Sequence, residues 1–237
     1  MTRPKILVTD PFSGSIIEKL KTHGEVSYLP TISRLPLKKM IYDKDILIIR
    51  SRTKVSSDLL RHAEHLKAVI TATHGTDHVD VAELKKKGIK IYNIAEQTNS
   101  VAEMVFALLL AMFRDLFSAI SSMKQGKWKK GEIMGTELSG KSIGIIGYGR
   151  IGRRVAEIAS KGFKMRVLAH DAYLTGEAKQ HALENGVQLI GFRELLENSD
   201  IISVHLPLTE KTHNLIDHTE FALMKNGVYL LNLSRGD

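Results

Sequence analysis

The sequence predicts an α/β protein made of two doubly wound parallel-sheet domains, and three observations lead to this prediction. Short apolar or β-branched runs alternate with amphipathic stretches along the chain, which is typical of βαβ units. Residues 46–49 (Ile-Leu-Ile-Ile) are apolar throughout, as expected for a strand in a parallel sheet that carries helices on both faces. Glycines at positions 147, 149 and 152 follow another apolar run and open a helical pattern.

Residues 1–99 contain five strand-like runs separated by helical stretches, and we expect them to form the first domain. The predicted strands are Lys5–Thr9, Glu25–Leu29, Ile46–Arg50, Ala68–Ala72 and Lys90–Asn93. The predicted helices are Ser15–Thr22, Leu35–Ile41, Ser57–His62 and Val81–Lys87.

A long apolar helix is expected to follow the first domain. Ser100 and Glu103 form the S-x-x-E pattern of a capping box, so the pattern predicts a helix from Ser100 to about Met123. Its apolar residues recur on one face. A glycine- and lysine-rich segment around Trp128 ends it.

Residues 100–237 are expected to form the second domain, which begins with the strand and glycine turn at residues 141–156. Further strands are predicted at Met165–Asp171, Val187–Ile190, Ile201–Leu206 and Val228–Leu233. Helices are predicted at Gly176–Glu184, Phe192–Asn198 and Thr219–Lys225. The last predicted strand has no element after it, so we expect either that another chain completes the fold or that the sequence is a fragment, with this domain truncated at its C-terminal end.

Composition excludes several classes of function. The 237 residues contain no cysteine, so disulfides, thiolate metal sites and cysteine nucleophiles are excluded, and a reducing cytoplasmic location is compatible with the sequence. The net charge of +8 comes without a nucleic-acid-binding signature, and the lysines fall where helix faces meet solvent. No signal-peptide pattern or bilayer-length apolar run occurs, and no His, Asp and Glu cluster has metal-ligand spacing. We therefore expect no metal, nucleic acid or membrane as a partner.

The glycine spacing at residues 147–152 predicts a dinucleotide-binding turn. Gly147 permits a tight turn, Gly149 permits a pyrophosphate to approach the backbone, and Gly152 permits close packing of helix on strand. The helix N-terminus offers free N–H groups to the phosphates. Asp171 ends the next predicted strand, where a carboxylate would meet the adenosine ribose, and this favours NAD over NADP.

The chain resembles the D-isomer-specific 2-hydroxyacid dehydrogenases, close to the phosphoglycerate-dehydrogenase-like branch. The pieces that carry this resemblance run in family order, and they are residues 49–55, 75–80, 99–103, 147–152, 204–209 with Thr212, and 232–236. The resemblance implies a flavodoxin-like substrate domain, a Rossmann NAD-binding domain, NAD as cofactor and a small 2-hydroxy or 2-oxo acid as substrate. It also implies a homodimer, with the long helix and the Trp128 loop at a two-fold contact.

The resemblance implies roles for particular residues. Arg235 matches the catalytic arginine, whose guanidinium would hold the substrate carboxylate or carbonyl oxygen. Ser51 and Gly75 match substrate-facing loops. His74 departs from the small residue usual in the family, at a position where the family often has a cofactor-contacting residue, so it is either a cofactor or substrate contact or a plain surface histidine. The other matches to cofactor-binding positions are Gly147, Gly149, Arg150, Ile151, Gly152, Asp171, Leu206, Pro207, Thr212, Leu233 and Ser234.

Two functions stay open from the sequence. The family's acid/base histidine and its glutamate partner are expected after the arginine strand, and the 237 residues end two positions past Arg235. The first function is NAD-dependent hydride transfer at C2 of a D-2-hydroxy acid, expected of the family. The second is a catalytically incomplete NAD-binding fragment, or a non-enzymatic NAD sensor or corepressor. The sequence does not distinguish which hydroxy acid would be used.

Overall fold

The computed structural model describes residues 3–73, 75–94 and 98–235, and the chain divides into two compact units. The units are Met1–Gln97 and Thr98–Asp237. This boundary falls two residues before the one expected from the sequence.

The first unit is a five-stranded parallel sheet with helical connections. Its strands are β1 (Lys5–Val8), β2 (Glu25–Tyr28), β3 (Ile46–Ile49), β4 (Ala68–Thr71) and β5 (Lys90–Asn93). Its helices are α1 (Gly14–His23), α2 (Arg34–Met40), α3 (Ser57–Leu60) and α4 (Val81–Lys86). The strand order β2-β1-β3-β4-β5 is the flavodoxin-like order, as predicted.

Both faces of this sheet are buried at its three central strands, β1, β3 and β4, which explains why those strands are continuously apolar. Leu7, Leu47 and Val69 lie in a core on one face, all with no exposed side-chain surface. Their strand neighbours Val8 and Ile48 lie in a separate core on the opposite face. Because successive side chains point to opposite faces of a strand, a sheet covered twice needs apolar residues at every position.

The second unit is also a five-stranded parallel sheet. Its strands are β6 (Ser142–Ile146), β7 (Arg166–His170), β8 (Gln188–Leu189), β9 (Ile201–Val204) and β10 (Tyr229–Asn232). Its helices are α5 (Thr98–Phe113), α6 (Leu116–Lys124), α7 (Arg150–Glu157), α8 (Gly176–Glu184), α9 (Phe192–Asn198) and α10 (His218–Leu223), and α7 continues into a π-helical turn at Ile158–Gly162. The order β10-β9-β6-β7-β8 matches strands 5-4-1-2-3 of the Rossmann sheet, which confirms the predicted fold class.

Strand β6 lies at the centre of the second sheet and is buried along its whole length. It pairs in parallel with β7 on one side and β9 on the other. The carboxyl end of β6 is therefore flanked by the carboxyl ends of both neighbours. In open α/β sheets of this kind, ligands bind at that edge, where the strand order reverses.

The single long helix predicted from Ser100 to Met123 is wrong in two respects. It begins at Thr98, so Ser100 lies in its first turn instead of at its N-cap. It also ends at Phe113, and Asp115 adopts a left-handed backbone (φ 46°) before α6 begins. The apolar periodicity continues through this break, so the pattern contained no sign of it.

Within the described part of the chain, no single helix is long and apolar enough to cross a membrane. Helices α5 and α6 reach that length and apolarity only together, and they bend by 67° at their junction.

Candidate functional site

The turn after β6 has a backbone that only glycine adopts easily at its first position. Gly147 has a φ of +94°, and its N–H donates to the His170 carbonyl over 2.8 Å. A Cβ at this position would lie 2.6 Å from the carbonyl oxygen of His205. Both the dihedral angle and the close approach of the next strand therefore require glycine here.

The other two glycines differ in what surrounds them. A Cβ on Gly152 would collide with the carbonyl oxygen of Gly147, so glycine lets α7 pack directly onto the turn. A Cβ on Gly149 would meet no heavy atom within 4 Å, which leaves open space over the helix N-terminus. Gly149 is the N-cap of α7, and among the described residues no side chain caps its first-turn N–H groups. Open space beside uncapped N–H groups fits a pyrophosphate.

Asp171 follows β7 and lies beside the turn. Its Oδ2 accepts a hydrogen bond from the Tyr148 N–H and its Oδ1 accepts one from the Tyr173 N–H, each over 2.8 Å. A carboxylate has about four lone-pair sites, so these two bonds fix its orientation and leave acceptor capacity for ribose hydroxyls. The carboxylate is thus prearranged next to the glycine turn.

Tyr148 lies inside the glycine motif, and the sequence analysis assigned it no structural or binding role. Its side chain is only 2% exposed, and its hydroxyl hydrogen-bonds to Nδ1 of His181 on α8 over 2.9 Å. Burial raises the pKa of Tyr148 to about 12, while burial and Arg153 lower the pKa of His181. The tyrosine therefore anchors the turn to α8. Its position is a variable one in the motif, so only the packing identifies it.

The loop after β9 contains three predicted cofactor residues, Leu206, Pro207 and Thr212. The Thr212 hydroxyl donates to the Pro207 carbonyl over 2.6 Å and accepts from the Thr209 N–H over 2.8 Å. These bonds hold the loop closed, so Thr212 shapes it through its own side chain. Leu206 packs partly buried against the core between α9 and the sheet.

His205 is placed by packing rather than as an acid or base. Its N–H donates to the Ile146 carbonyl over 2.8 Å, and its Nε2 hydrogen-bonds to the Ser203 hydroxyl over 2.9 Å. Burial lowers the pKa of His205 to about 4, so the ring is neutral near pH 7.

The segment after β10 is organised by Asn232. Its Oδ1 accepts from the Ser234 N–H over 3.0 Å and from the Ser234 hydroxyl over 2.6 Å, while its Nδ2 donates to the Arg235 carbonyl over 2.6 Å. Asn232 thereby sets the backbone of the two predicted site residues that follow it. The sequence analysis assigned Asn232 no role. An Asn side chain often accepts from the backbone N–H two residues later, which is an Asx-turn, so this contact could have been expected from the sequence.

The predicted residues of the second unit fall into two groups at the carboxyl edge of its sheet. A cavity of about 200 Å³ brings together Leu206, Pro207, Thr212, Ser234 and Arg235. The glycine turn and Asp171 form the other group, around β6 and β7. Arg150 is exposed at the start of α7, whereas Ile151 and Leu233 pack partly buried against the main core of the unit.

The predicted substrate residues of the first unit follow the carboxyl ends of β3 and β4. Ser51 is exposed in the loop after β3. The Gly75 carbonyl, after β4, accepts a hydrogen bond of 2.7 Å from the Thr73 hydroxyl. His74 lies outside the described residues. Across the described ranges, no group of three or more His, Asp or Glu side chains could hold a metal ion.

The fold and the turn together define a class, which is a doubly wound α/β protein with a glycine turn of the dinucleotide-binding pattern at the carboxyl ends of the strands of its second sheet. Residues 106–237, more than half of the chain, match the NAD-binding domain of the D-isomer specific 2-hydroxyacid dehydrogenases. The chain belongs to the family of D-isomer-specific 2-hydroxyacid dehydrogenases, and its second unit contains the NAD-binding domain.

Similar proteins agree with this assignment. The chain is 39% identical over 234 residues to a D-3-phosphoglycerate dehydrogenase of Methanocaldococcus jannaschii, covering 98% of this chain and 44% of that protein. It is 37% identical over 238 residues to a hydroxypyruvate reductase of Thermotoga maritima, covering 100% of this chain and 76% of the relative. The structure of a D-lactate dehydrogenase from Aquifex aeolicus complexed with NAD and lactic acid superposes with a TM-score of 0.84 at 31% identity, covering 98% of this chain and 69% of that one. The chain thus spans about half the length of its phosphoglycerate dehydrogenase relatives.

Proposed function

We propose that this protein transfers a hydride between the nicotinamide of NAD and C2 of a small D-2-hydroxy or 2-oxo acid. The observation that carries the proposal is the turn at Gly147–Gly152 with Asp171 held beside it, in a chain of this family. NAD, when bound, supplies the hydride acceptor. The protein supplies orientation and charge.

The proposed cofactor contacts divide between the two groups of residues in the second unit. The N–H groups at the start of α7, with Gly149 and Arg150, would hold the pyrophosphate. Asp171 would accept from the adenosine ribose hydroxyls. The loop at Leu206–Thr212 and the segment at Leu233–Ser234 would lie along the rest of the cofactor, and His74 is proposed as a further contact.

Replacing Asp171 by alanine should relax the preference for NAD over NADP. The carboxylate repels a 2′-phosphate and accepts from a 2′-hydroxyl, so its loss should weaken NAD and strengthen NADP, changing the affinity ratio by about tenfold or more. Titration calorimetry with each cofactor measures this ratio. Asp200→Ala is the matched control, because Asp200 likewise accepts a backbone N–H, that of Ser142 over 2.8 Å. Ser142 begins β6, so this contact lies at the amino ends of the strands, away from the glycine turn. An unchanged ratio in Asp171→Ala would remove the ribose role.

The substrate carboxylate is proposed to bind Arg235, with Ser51 and Gly75 as further substrate contacts. Arginine matches a carboxylate with two parallel hydrogen bonds, and Asn232 fixes the backbone that carries it. Arg235→Gln should weaken binding of the acid by about 100-fold, since a bidentate charged contact is lost, and should leave NAD affinity within about twofold. Hydroxypyruvate titrated into the protein saturated with oxidised NAD measures this without turnover.

Arg193→Gln is the control for the loss of charge, because Arg193 pairs only with Glu197 on the exposed face of α9 among the described contacts.

Initial rates of NADH oxidation with hydroxypyruvate separate the two candidate functions, the dehydrogenase and the sensor or corepressor. Binding of NAD without any binding of the acid would favour the sensor or corepressor function over the dehydrogenase.

We further propose that the protein is a homodimer in which α5 and α6 contact a second copy. Met104, Leu108 and Met112 recur every four residues along α5 and are 37–51% exposed, and Phe117 on α6 is 67% exposed. A series of large exposed apolar side chains on one helix pair is unusual for a monomer. On the sequence arguments above, a cytoplasmic location is also proposed.

Phe117→Asp should raise the dimer dissociation constant at least about 100-fold, because a central aromatic contact is replaced by a charge. Sedimentation equilibrium over a range of protein concentrations measures this constant. Leu183→Asp is the control, since Leu183 is 78% exposed on α8. A monomeric wild-type chain, or a dimer unaffected by Phe117→Asp, would contradict the assignment.

A further inference from the structure

Asp10 is a buried carboxylate in the first unit that neither the family resemblance nor the site described above uses. It lies two residues beyond the end of β1 and has no exposed surface. Burying a carboxylate is costly unless hydrogen bonds satisfy it. Its partners therefore indicate its function.

The partners of Asp10 come mainly from one loop, the segment at residues 50–53. Its Oδ2 accepts from the Arg50 N–H over 2.5 Å and from the Thr53 N–H over 3.3 Å, and its Oδ1 accepts from the Thr53 hydroxyl over 2.9 Å. Arg52 adds an ion pair, with Nε 3.6 Å from Oδ1. The carboxylate thus holds the loop at both ends.

The residue between these anchors is Ser51, the proposed substrate contact. Its neighbours Arg50 and Arg52 are bound to Asp10 through backbone and side chain respectively, while Ser51 itself is exposed. Thr9 reinforces the same arrangement, because its hydroxyl hydrogen-bonds to that of Thr53 over 2.9 Å. The end of β1 therefore fixes the path of the loop and presents Ser51 outward.

Most of the hydrogen bonds to Asp10 come from uncharged groups. Two are backbone N–H groups and one is a hydroxyl, while Arg52, the charged partner found among the described residues, is half-exposed. These hydrogen bonds require two acceptor oxygens at residue 10. An asparagine there would offer one acceptor oxygen in place of two, and its N–H group would face another donor. A change of one atom at Asp10 should therefore displace the loop.

We propose that Asp10 is a positioning residue for the substrate, which holds the loop at residues 50–53 in the conformation that binds the acid. This inference rests on the proposed function, because it assigns Ser51 to the substrate. Asp10 itself does not touch the substrate. It acts through the backbone of Arg50 and Thr53.

The test compares Asp10→Asn with Asp45→Asn in the full chain. Asp45 is matched because it too accepts a backbone N–H, that of Lys5 over 2.8 Å, and pairs with a basic residue, Lys67. It lies before β3, at the amino ends of the strands, whereas Asp10 lies after β1 at their carboxyl ends. Hydroxypyruvate is titrated into each protein saturated with oxidised NAD. Asp10→Asn should bind the acid at least about tenfold more weakly than wild type, and Asp45→Asn within about twofold. NAD affinity should stay within about twofold in both variants.

Thr53→Ala provides a second, milder variant in case Asp10→Asn fails to fold. It removes one donor to Asp10 and the contact with Thr9, so acid affinity should fall in the same direction by a smaller factor. Equal acid affinity in wild type and in the folded Asp10 or Thr53 variant overturns the positioning role while leaving the proposed function intact. Equal weakening by Asp45→Asn would assign the effect to general destabilisation and also overturn it. A wild-type chain that binds NAD but not the acid would instead refute the proposed function.

Discussion

Gly149→Asp should abolish measurable NAD binding, with affinity falling at least about 100-fold, while the fold stays intact. A carboxylate at this position would stand where the pyrophosphate approaches the start of α7, and two like charges about 4 Å apart at an effective dielectric constant near 20 repel by about 4 kcal/mol. The side chain itself has room, because no heavy atom lies within 4 Å of a Cβ at Gly149. The backbone there has a φ of −78°, which any residue can adopt.

The effect is measured by calorimetric titration of NAD, with circular dichroism to verify the fold. Gly191→Asp is a close control. Gly191 is likewise the N-cap of a helix, α9, has a φ of −65° and has open space around its Cβ, but it lies beyond β8 at the edge of the sheet. NAD affinity should not change in this variant. A folded Gly149→Asp protein that binds NAD as tightly as wild type would rule out the turn as the pyrophosphate site.

Gly152→Ala should destabilise the second unit by about 2–3 kcal/mol, because the added methyl group has no free space. It would collide with the carbonyl oxygen of Gly147 and lie 3.1 Å from the Ile145 side chain. The neighbour that must move is backbone, so α7 must shift away from the turn. We expect a melting temperature about 5–10 °C lower for this unit and weaker NAD binding.

Scanning calorimetry with and without NAD measures this, since the ligand raises the melting temperature of the unit that binds it. Gly162→Ala is the control. Gly162 ends the π-helical turn that continues α7, and the nearest atom to its Cβ is 3.8 Å away. The alanine should be neutral or stabilising by up to about 1 kcal/mol. If Gly152→Ala is as stable as wild type, the close contact between helix and turn is not required.

The packing also explains why Gly144 stands in the middle of β6, where sequence reasoning gave it no role. A Cβ there would lie 2.6 Å from the Leu195 side chain and would collide with the Ser199 hydroxyl. The helix α9 therefore lies directly on the strand. A glycine inside an apolar strand is a recognised sign of such close approach.

Hydrophobic periodicity predicted the helix bounds most accurately where the local sequence pattern and the tertiary packing favour the same bounds. The helices Gly176–Glu184 and Phe192–Asn198 have the bounds predicted from the sequence, because the apolar faces of both are local patterns. The first also has a local cap, since the Thr175 side chain accepts from the Ala178 N–H. The break at Asp115 was missed because apolar residues continue on both sides of it. The bend itself falls at Asp115, the N-cap residue of α6, whose backbone is left-handed.

The sequence by itself determined the fold class and the glycine turn with its acidic partner. These follow from local patterns: alternation of strands and helices, and a motif whose residues are close in sequence. The tertiary structure decided which side chains hold that turn and the loops. Tyr148 reaches His181 across 33 residues and Asp10 reaches Thr53 across 43. Contacts over such separations depend on how the strands are ordered in the sheet, and no local pattern in the sequence encodes them.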